Sequence, residues 1–195
     1  MSPGWAHGTG MTTNTQTSNG TTSHLFALPD GRTLAVDEIG PADGPVVVLL
    51  HSSPGARVFD PDPDVTRAAG VRLLTVDRPG YGGSTSLDGA EPSEASFADD
   101  LAEVLDQLGV EDAAVVGWSA GGRYVLALAA RRPELVRTAA LVGTPARHED
   151  VPWLPPEQSE MIPLMQQDPV GAVVQLQQIF GQAGQDEQSQ LALLA

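Results

Sequence analysis

The sequence contains no cysteine and no lysine, few aromatic residues (5%), and only ten basic side chains against 25 acidic ones. Without cysteine there is no disulfide framework, no thiol nucleophile and no Cys-ligated metal. Without lysine there is no lysine-dependent chemistry; every basic residue is an arginine, a usage that fits a GC-rich gene. A formal net charge of −15 argues against nucleic acid or an anionic membrane as the main partner, because both need a basic footprint. No run approaches the roughly 18 apolar residues that a membrane-spanning helix requires. The N-terminal stretch has neither a basic start nor an apolar segment, so it does not read as a signal peptide, and the cytoplasm is the expected location.

What is present is ordinary globular composition, with 41% hydrophobic and 18% charged residues. A length of 195 residues suggests one domain able to bury about 70% of its unfolded surface. Residues 1–23 are rich in Thr, Ser, Gly and Asn and predict a disordered tail. Two short apolar runs then flank Asp30-Gly31, a hairpin signal. The runs Pro45–Leu50, Val71–Val76, Ala113–Val116 and Leu135–Val142 are short and β-branched, as expected of strands buried on both faces. Helical periodicity lies between them. Ser93 reads as an N-cap, Phe97, Leu101, Val104, Leu105 and Leu108 follow at helical spacing, and Gly109 stops the run. Ala120–Arg131 reads as a second helix. Strands alternating with helices predict a mostly parallel sheet with helices on both faces, made mixed by the leading hairpin. From 143 to 163 the chain carries five prolines, and Pro169–Phe180 has an amphipathic helical pattern.

Gly117-Trp118-Ser119-Ala120-Gly121 is a G-x-S-x-G set directly between a strand and a helix. That context is what a nucleophile elbow needs: a tight turn exposes the serine hydroxyl, and flanking glycines avoid collisions with backbone. The helix N-terminus beyond it favours developing negative charge. A plain strand-to-helix turn of small residues is the bland alternative. Elsewhere, Asp60, Asp62 and Asp64 alternate with prolines and read as a solvated loop rather than a metal site. Asp77-Arg78 reads as a local ion pair, and Arg131-Arg132 as the cap of a helix C-terminus.

Two further runs, His51-Ser52-Ser53-Pro54-Gly55 and Asp77-Arg78-Pro79-Gly80-Tyr81-Gly82-Gly83-Ser84, stand in order before the elbow. Together the three motifs resemble the α/β-hydrolase family, with closest likeness to its proline-iminopeptidase-related and uncharacterised bacterial branches. The likeness covers roughly 25–142. It implies that Ser119 is the catalytic nucleophile and that the oxyanion hole is formed by the backbone N–H groups of Ala120 and Ser53. It implies further that Trp118 lines the pocket and that His51 supports the oxyanion loop rather than transferring protons. Ser52 stands where the family usually has glycine. On this resemblance, 24–145 is the N-terminal part of a hydrolase core and 146–195 a partial helical cap, in which Trp153, Met161, Met165 and Phe180 are candidate pocket or packing residues.

The resemblance also calls for an acid and a histidine after the nucleophile. Only His148 follows Ser119, and Glu149 and Asp150 come after it, which reverses the family's order. The expected reading is a chain that stops short of its catalytic acid and base and leaves Leu135–Val142 as an exposed sheet edge. The expected reaction is acyl transfer from a small ester, amide or lactone through an acyl-enzyme, weak or absent in this chain. The alternatives are a non-catalytic pseudo-hydrolase or interaction module, or a cofactor-free peroxidase or acyltransferase on the same fold. No cofactor and no metal are implied. The expected partners are a small-molecule substrate and, at the sheet edge, a second copy or a complementing C-terminal fragment, with no nucleic acid and no membrane.

Overall fold

A computed structural model of the chain describes residues 12–18, 20–87, 93–147, 150–152 and scattered positions between 159 and 175. The chain divides into two units, 1–145 and 146–195. In the second, the described residues include helical positions at 170–172 and 174–175. Trp153, Met161, Met165 and Phe180 lie outside the described residues, as do His148 and Glu149.

The described residues of the first unit form seven strands. In chain order they are β1 (Thr12–Ser18), β2 (Thr21–Ala27), β3 (Thr33–Ile39), β4 (Val46–Leu50), β5 (Arg72–Val76), β6 (Ala113–Trp118) and β7 (Val136–Val142). The helices are α1 (Pro63–Ala69), α2 (Glu94–Gln107) and α3 (Gly121–Arg131), and a single 3-10 turn (Pro133–Leu135) leads into β7. The strands lie in the order β1-β2-β3-β5-β4-β6-β7. The first four are antiparallel neighbours and the last four are parallel. This is the mixed, mostly parallel α/β sheet that the alternating pattern predicts.

Two sequence expectations need correction. The tail predicted for 1–23 is a β-strand over Thr12–Ser18, paired antiparallel with β2. Its residues are almost all threonine or amide, with little to bury. Threonine still favours extended backbone, and the strand's side chains make polar pairs across it, Thr15 with His24 and Thr17 with Thr22. Residues 1–11 lie outside the described residues. The loop predicted around Asp60, Asp62 and Asp64 contains α1: the Asp62 carboxylate accepts the backbone N–H groups of Asp64 and Val65, and Pro63 occupies the first turn.

The α2 helix begins at a capping box in which Ser93 and Ser96 each accept the other's backbone N–H. It ends before Gly109, whose φ of +67° no helix continues through. Phe97, Leu101, Val104 and Leu105 are fully buried and pack with Val48, Leu50, Val115, Val125 and Leu128 in one core. Each such side chain contributes about 1.5–3 kcal/mol on burial. Alternation along the strands puts Val48 and Leu50 on this face and Val47 and Leu49 on the other, where they line a groove with Val65 and Ala69 of α1. Helices therefore lie on both faces, α1 across this groove and with no residue of its own buried.

From β4 the chain crosses to β5 on one side and then to β6 on the other. Such a switch point opens a crevice at the carboxyl ends of the strands. The three sequence motifs leave the sheet there, from β4, β5 and β6, which are side-by-side neighbours.

Candidate active site

Among the described residues, Ser119 is the only non-glycine residue with positive φ, at +52°. That conformation costs free energy and persists only where the surroundings impose it. Its backbone N–H donates to the carbonyl of Val142 at the end of β7 (2.8 Å), and its carbonyl accepts the N–H of Gly122 (3.1 Å). The glycines around it are steric requirements. A Cβ on Gly117 would lie 2.5 Å from Gly122 Cα. One on Gly121 would overlap the carbonyl oxygen of Leu50 and lie 2.9 Å from that of His51, and one on Gly122 would overlap the Thr144 side chain. The approach at Gly121 is also what seats the elbow against the loop that follows β4. No side chain caps the start of α3; the N–H groups of Gly122 and Arg123 donate instead to the backbone carbonyls of Ser119 and Ala120. Among the described residues no side chain hydrogen-bonds the Ser119 hydroxyl.

The loop after β4 is held from outside. The Arg78 guanidinium donates to the carbonyls of His51 (2.6 Å) and Ser52 (3.0 Å) and to the Ser53 hydroxyl (2.6 Å). The Ser52 carbonyl also accepts from His51 Nδ1 (2.7 Å), and the Ser52 hydroxyl donates to the carbonyl of Pro54 (2.9 Å). A carbonyl can only accept, so the imidazole proton sits on Nδ1. The His51 side chain is buried against the Tyr81 ring, with centroids 5.3 Å apart. Burial holds its pKa below the ordinary imidazole value, and the charge of Arg78 pushes the same way. His51 is thus a neutral, enclosed residue of this loop. Ala120 follows Ser119 directly, and Ser53 lies in the loop that Arg78 holds.

Asp77 and Arg78 do not pair with each other, contrary to the sequence expectation. Consecutive residues leaving a strand diverge to opposite sides. Asp77, fully buried, turns to Arg57, pairing with its guanidinium and accepting its backbone N–H (2.7 Å) and that of Gly83 (2.9 Å). Gly82, at φ +48°, lets the chain pass against that carboxylate, where any Cβ would overlap it. Ser84 closes the run by donating to the Asp77 carbonyl and accepting the N–H of Ala35. Arg57 also reaches Asp37 (2.9 Å). Sequence reasoning missed Arg57 as a partner because it lies 20 residues away.

The Trp118 ring packs on Phe59 at a tilt of 31°, with centroids 4.9 Å apart, and is 41% exposed. By strand alternation it shares the α1 face with Val116. Arg131 and Arg132 pair with Asp99 and Asp106 of α2 rather than serving only as a cap. Among the described residues no helix is long and apolar enough to cross a membrane.

Residues 45–171 match the family model described as alpha/beta hydrolase fold. The chain is 33% identical over 160 residues to a 2-hydroxy-6-oxononadienedioate/2-hydroxy-6-oxononatrienedioate hydrolase of Burkholderia vietnamiensis, covering 78% of this chain and 55% of that protein. It is 36% identical over 117 residues to a bifunctional esterase/perhydrolase of Acinetobacter calcoaceticus, covering 58% and 42%. Among solved structures it is similar to a hydrolase from Pseudomonas aeruginosa PA01, with a TM-score of 0.62, 26% identity, and coverage of 83% of this chain and 58% of that one. The chain spans about half the length of the curated relatives it matches.

Proposed function

Because the chain belongs to the α/β-hydrolase fold family, we propose that it carries the nucleophile and oxyanion hole of a serine hydrolase acting on a small ester, amide or lactone. The observation that carries this reading is the strained φ of Ser119 at a glycine-walled turn between β6 and α3. In the proposed reaction the Ser119 hydroxyl attacks an acyl carbon while a base removes its proton. The carbonyl oxygen takes the negative charge and is met by the N–H groups of Ala120 and Ser53, with the start of α3 adding its dipole. Collapse of the tetrahedral intermediate expels the alcohol or amine and leaves an acyl-enzyme, which water hydrolyses. No described residue fills the base's place, and His148 lies outside the described residues. Deleting one oxyanion donor costs about 10²–10³ in rate in comparable enzymes, so both loops must be in register.

Treating the full protein with a fluorophosphonate and mapping the adduct tests this. Label on Ser119, abolished in S119A, is the expected result. A folded protein with no label at Ser119 overturns the proposal. A second acceptor is favoured by the likeness to an esterase/perhydrolase: the acyl-enzyme would pass its acyl group to hydrogen peroxide, giving a peracid, and peracid formation on adding peroxide to an ester substrate is its assay.

A further inference from the structure

Nine of the ten arginines have a carboxylate within 4 Å: Arg32, Arg57, Arg67, Arg72, Arg123, Arg131, Arg132, Arg137 and Arg147. Arg78 is the exception: no carboxylate among the described residues pairs with it. It is also among the largest fully enclosed side chains of the protein, at 2% exposure. In a chain with 25 acidic residues, a buried cation left without an anion is a costly arrangement. Its contacts among the described residues are all neutral. They are the carbonyls of His51 and Ser52, the Ser53 hydroxyl, and the faces of Tyr81 and Tyr124, whose ring centroids lie 4.6 and 5.0 Å from its Cζ.

We propose that Arg78 is the positioning residue of the oxyanion loop, gripping the Ser52 carbonyl so that the Ser53 N–H on the far side of the same peptide is turned to the nucleophile. This rests on the serine-hydrolase reading. The peptide group is planar, and in its trans form the C=O and N–H point in opposite directions. Fixing one therefore aims the other. The Ser52 carbonyl is held by two donors, Arg78 and His51 Nδ1, which leaves the plane no freedom to turn. Gly55 completes the seat, since a Cβ there would lie 2.7 Å from that same oxygen. The planar fork of an arginine can grip two successive carbonyls at once, which an ammonium cannot do with the same geometry. The uncompensated charge has a second effect: it lies behind the loop and favours the anion that forms when the nucleophile adds to the acyl carbon.

The experiment uses R78M and R78K in the full protein, with three readouts: the rate of fluorophosphonate labelling at Ser119, kcat and KM on p-nitrophenyl acetate, and the direction of the Ser53 N–H vector from residual dipolar couplings. In R78M, labelling and kcat should fall about 100-fold, the size seen for loss of one oxyanion donor, with KM within about threefold. In R78K, which keeps the charge and is the safer variant for folding, the fall should be about tenfold. The Ser53 vector should rotate in both while the couplings of the central strands stay fixed. A folded variant labelled at the wild-type rate overturns the proposal, and so does an unrotated Ser53 vector in a folded variant. If the wild-type protein itself is unlabelled, the serine-hydrolase reading fails, and the Ser53 vector alone decides whether Arg78 sets the loop.

Discussion

Between Gly117 and Gly122 the chain is shaped by side chains it does not have, whereas between His51 and Gly55 it is shaped by polar side chains, its own His51 and Ser52 and the incoming Arg78. In the elbow, backbone packs on backbone, and a single methyl group would overlap a carbonyl or a neighbouring Cα. In the loop after β4, Arg78 and His51 fill the carbonyls, and the adjacent Asp77–Arg57 pair anchors the crossing chain. The turn at Ser119 is therefore set by sterics, which charge and pH do not touch. The loop after β4 is set by buried polar contacts, which are sensitive to both.

Substitutions can test how far that contrast holds. The largest effect is expected for G121A, whose methyl must displace the Leu50 carbonyl or break the elbow: a loss of about 3 kcal/mol or more in denaturant unfolding. A wild-type midpoint would show that the elbow yields and is not sterically fixed. Next is D77N. Asparagine keeps the shape but leaves Arg57 half-enclosed with only Asp37 to answer it, and the expected loss is about 2–3 kcal/mol. An unchanged midpoint would remove the ion pair from the account of this loop.

The third test uses pH. The folded state keeps His51 neutral to a lower pH than the unfolded chain does. Below about pH 6.5 the unfolded chain therefore takes up a proton that the folded protein refuses. The stabilisation from this residue is complete above that pH and is lost as the pH falls, by at most about 1.4 kcal/mol per unit. H51Q should flatten that segment of the stability profile, and a profile identical to wild type would contradict it. The smallest effect is expected for S52A, which removes only the hydroxyl donated to Pro54 and costs about 0.5–1 kcal/mol. Urea melts can resolve a change of that size.

The same contrast decides what could be read from sequence. The tight turn between β6 and α3 is legible because its requirements are local: glycines, a serine, a strand before and a helix after. The α2 helix was legible for the same reason, from Ser93 to Gly109. The strand β1 is not legible from hydrophobic patterning, because a threonine-rich outer strand carries little of it. The helix α1 was missed although Asp62 followed by Pro63 is a helix start, because the alternating Asp and Pro read as a loop. Asp77 and Arg78 were paired by adjacency, but their partners, Arg57 and the carbonyls of His51 and Ser52, come from 20 or more residues away. No local pattern encodes such a contact.

The hydrogen bond from the Ser119 amide to Val142 ties this turn to β7, the outermost strand of the parallel half among the described residues, whose residues from Arg137 to Val142 are exposed. An outer strand opens by local fluctuations well before the core gives way. The serine is thus fastened to one of the least protected strands of its sheet. Heating should inactivate the site some degrees below the temperature at which the α2–α3 core melts, and any contact that clamps β7 should bring the two temperatures together.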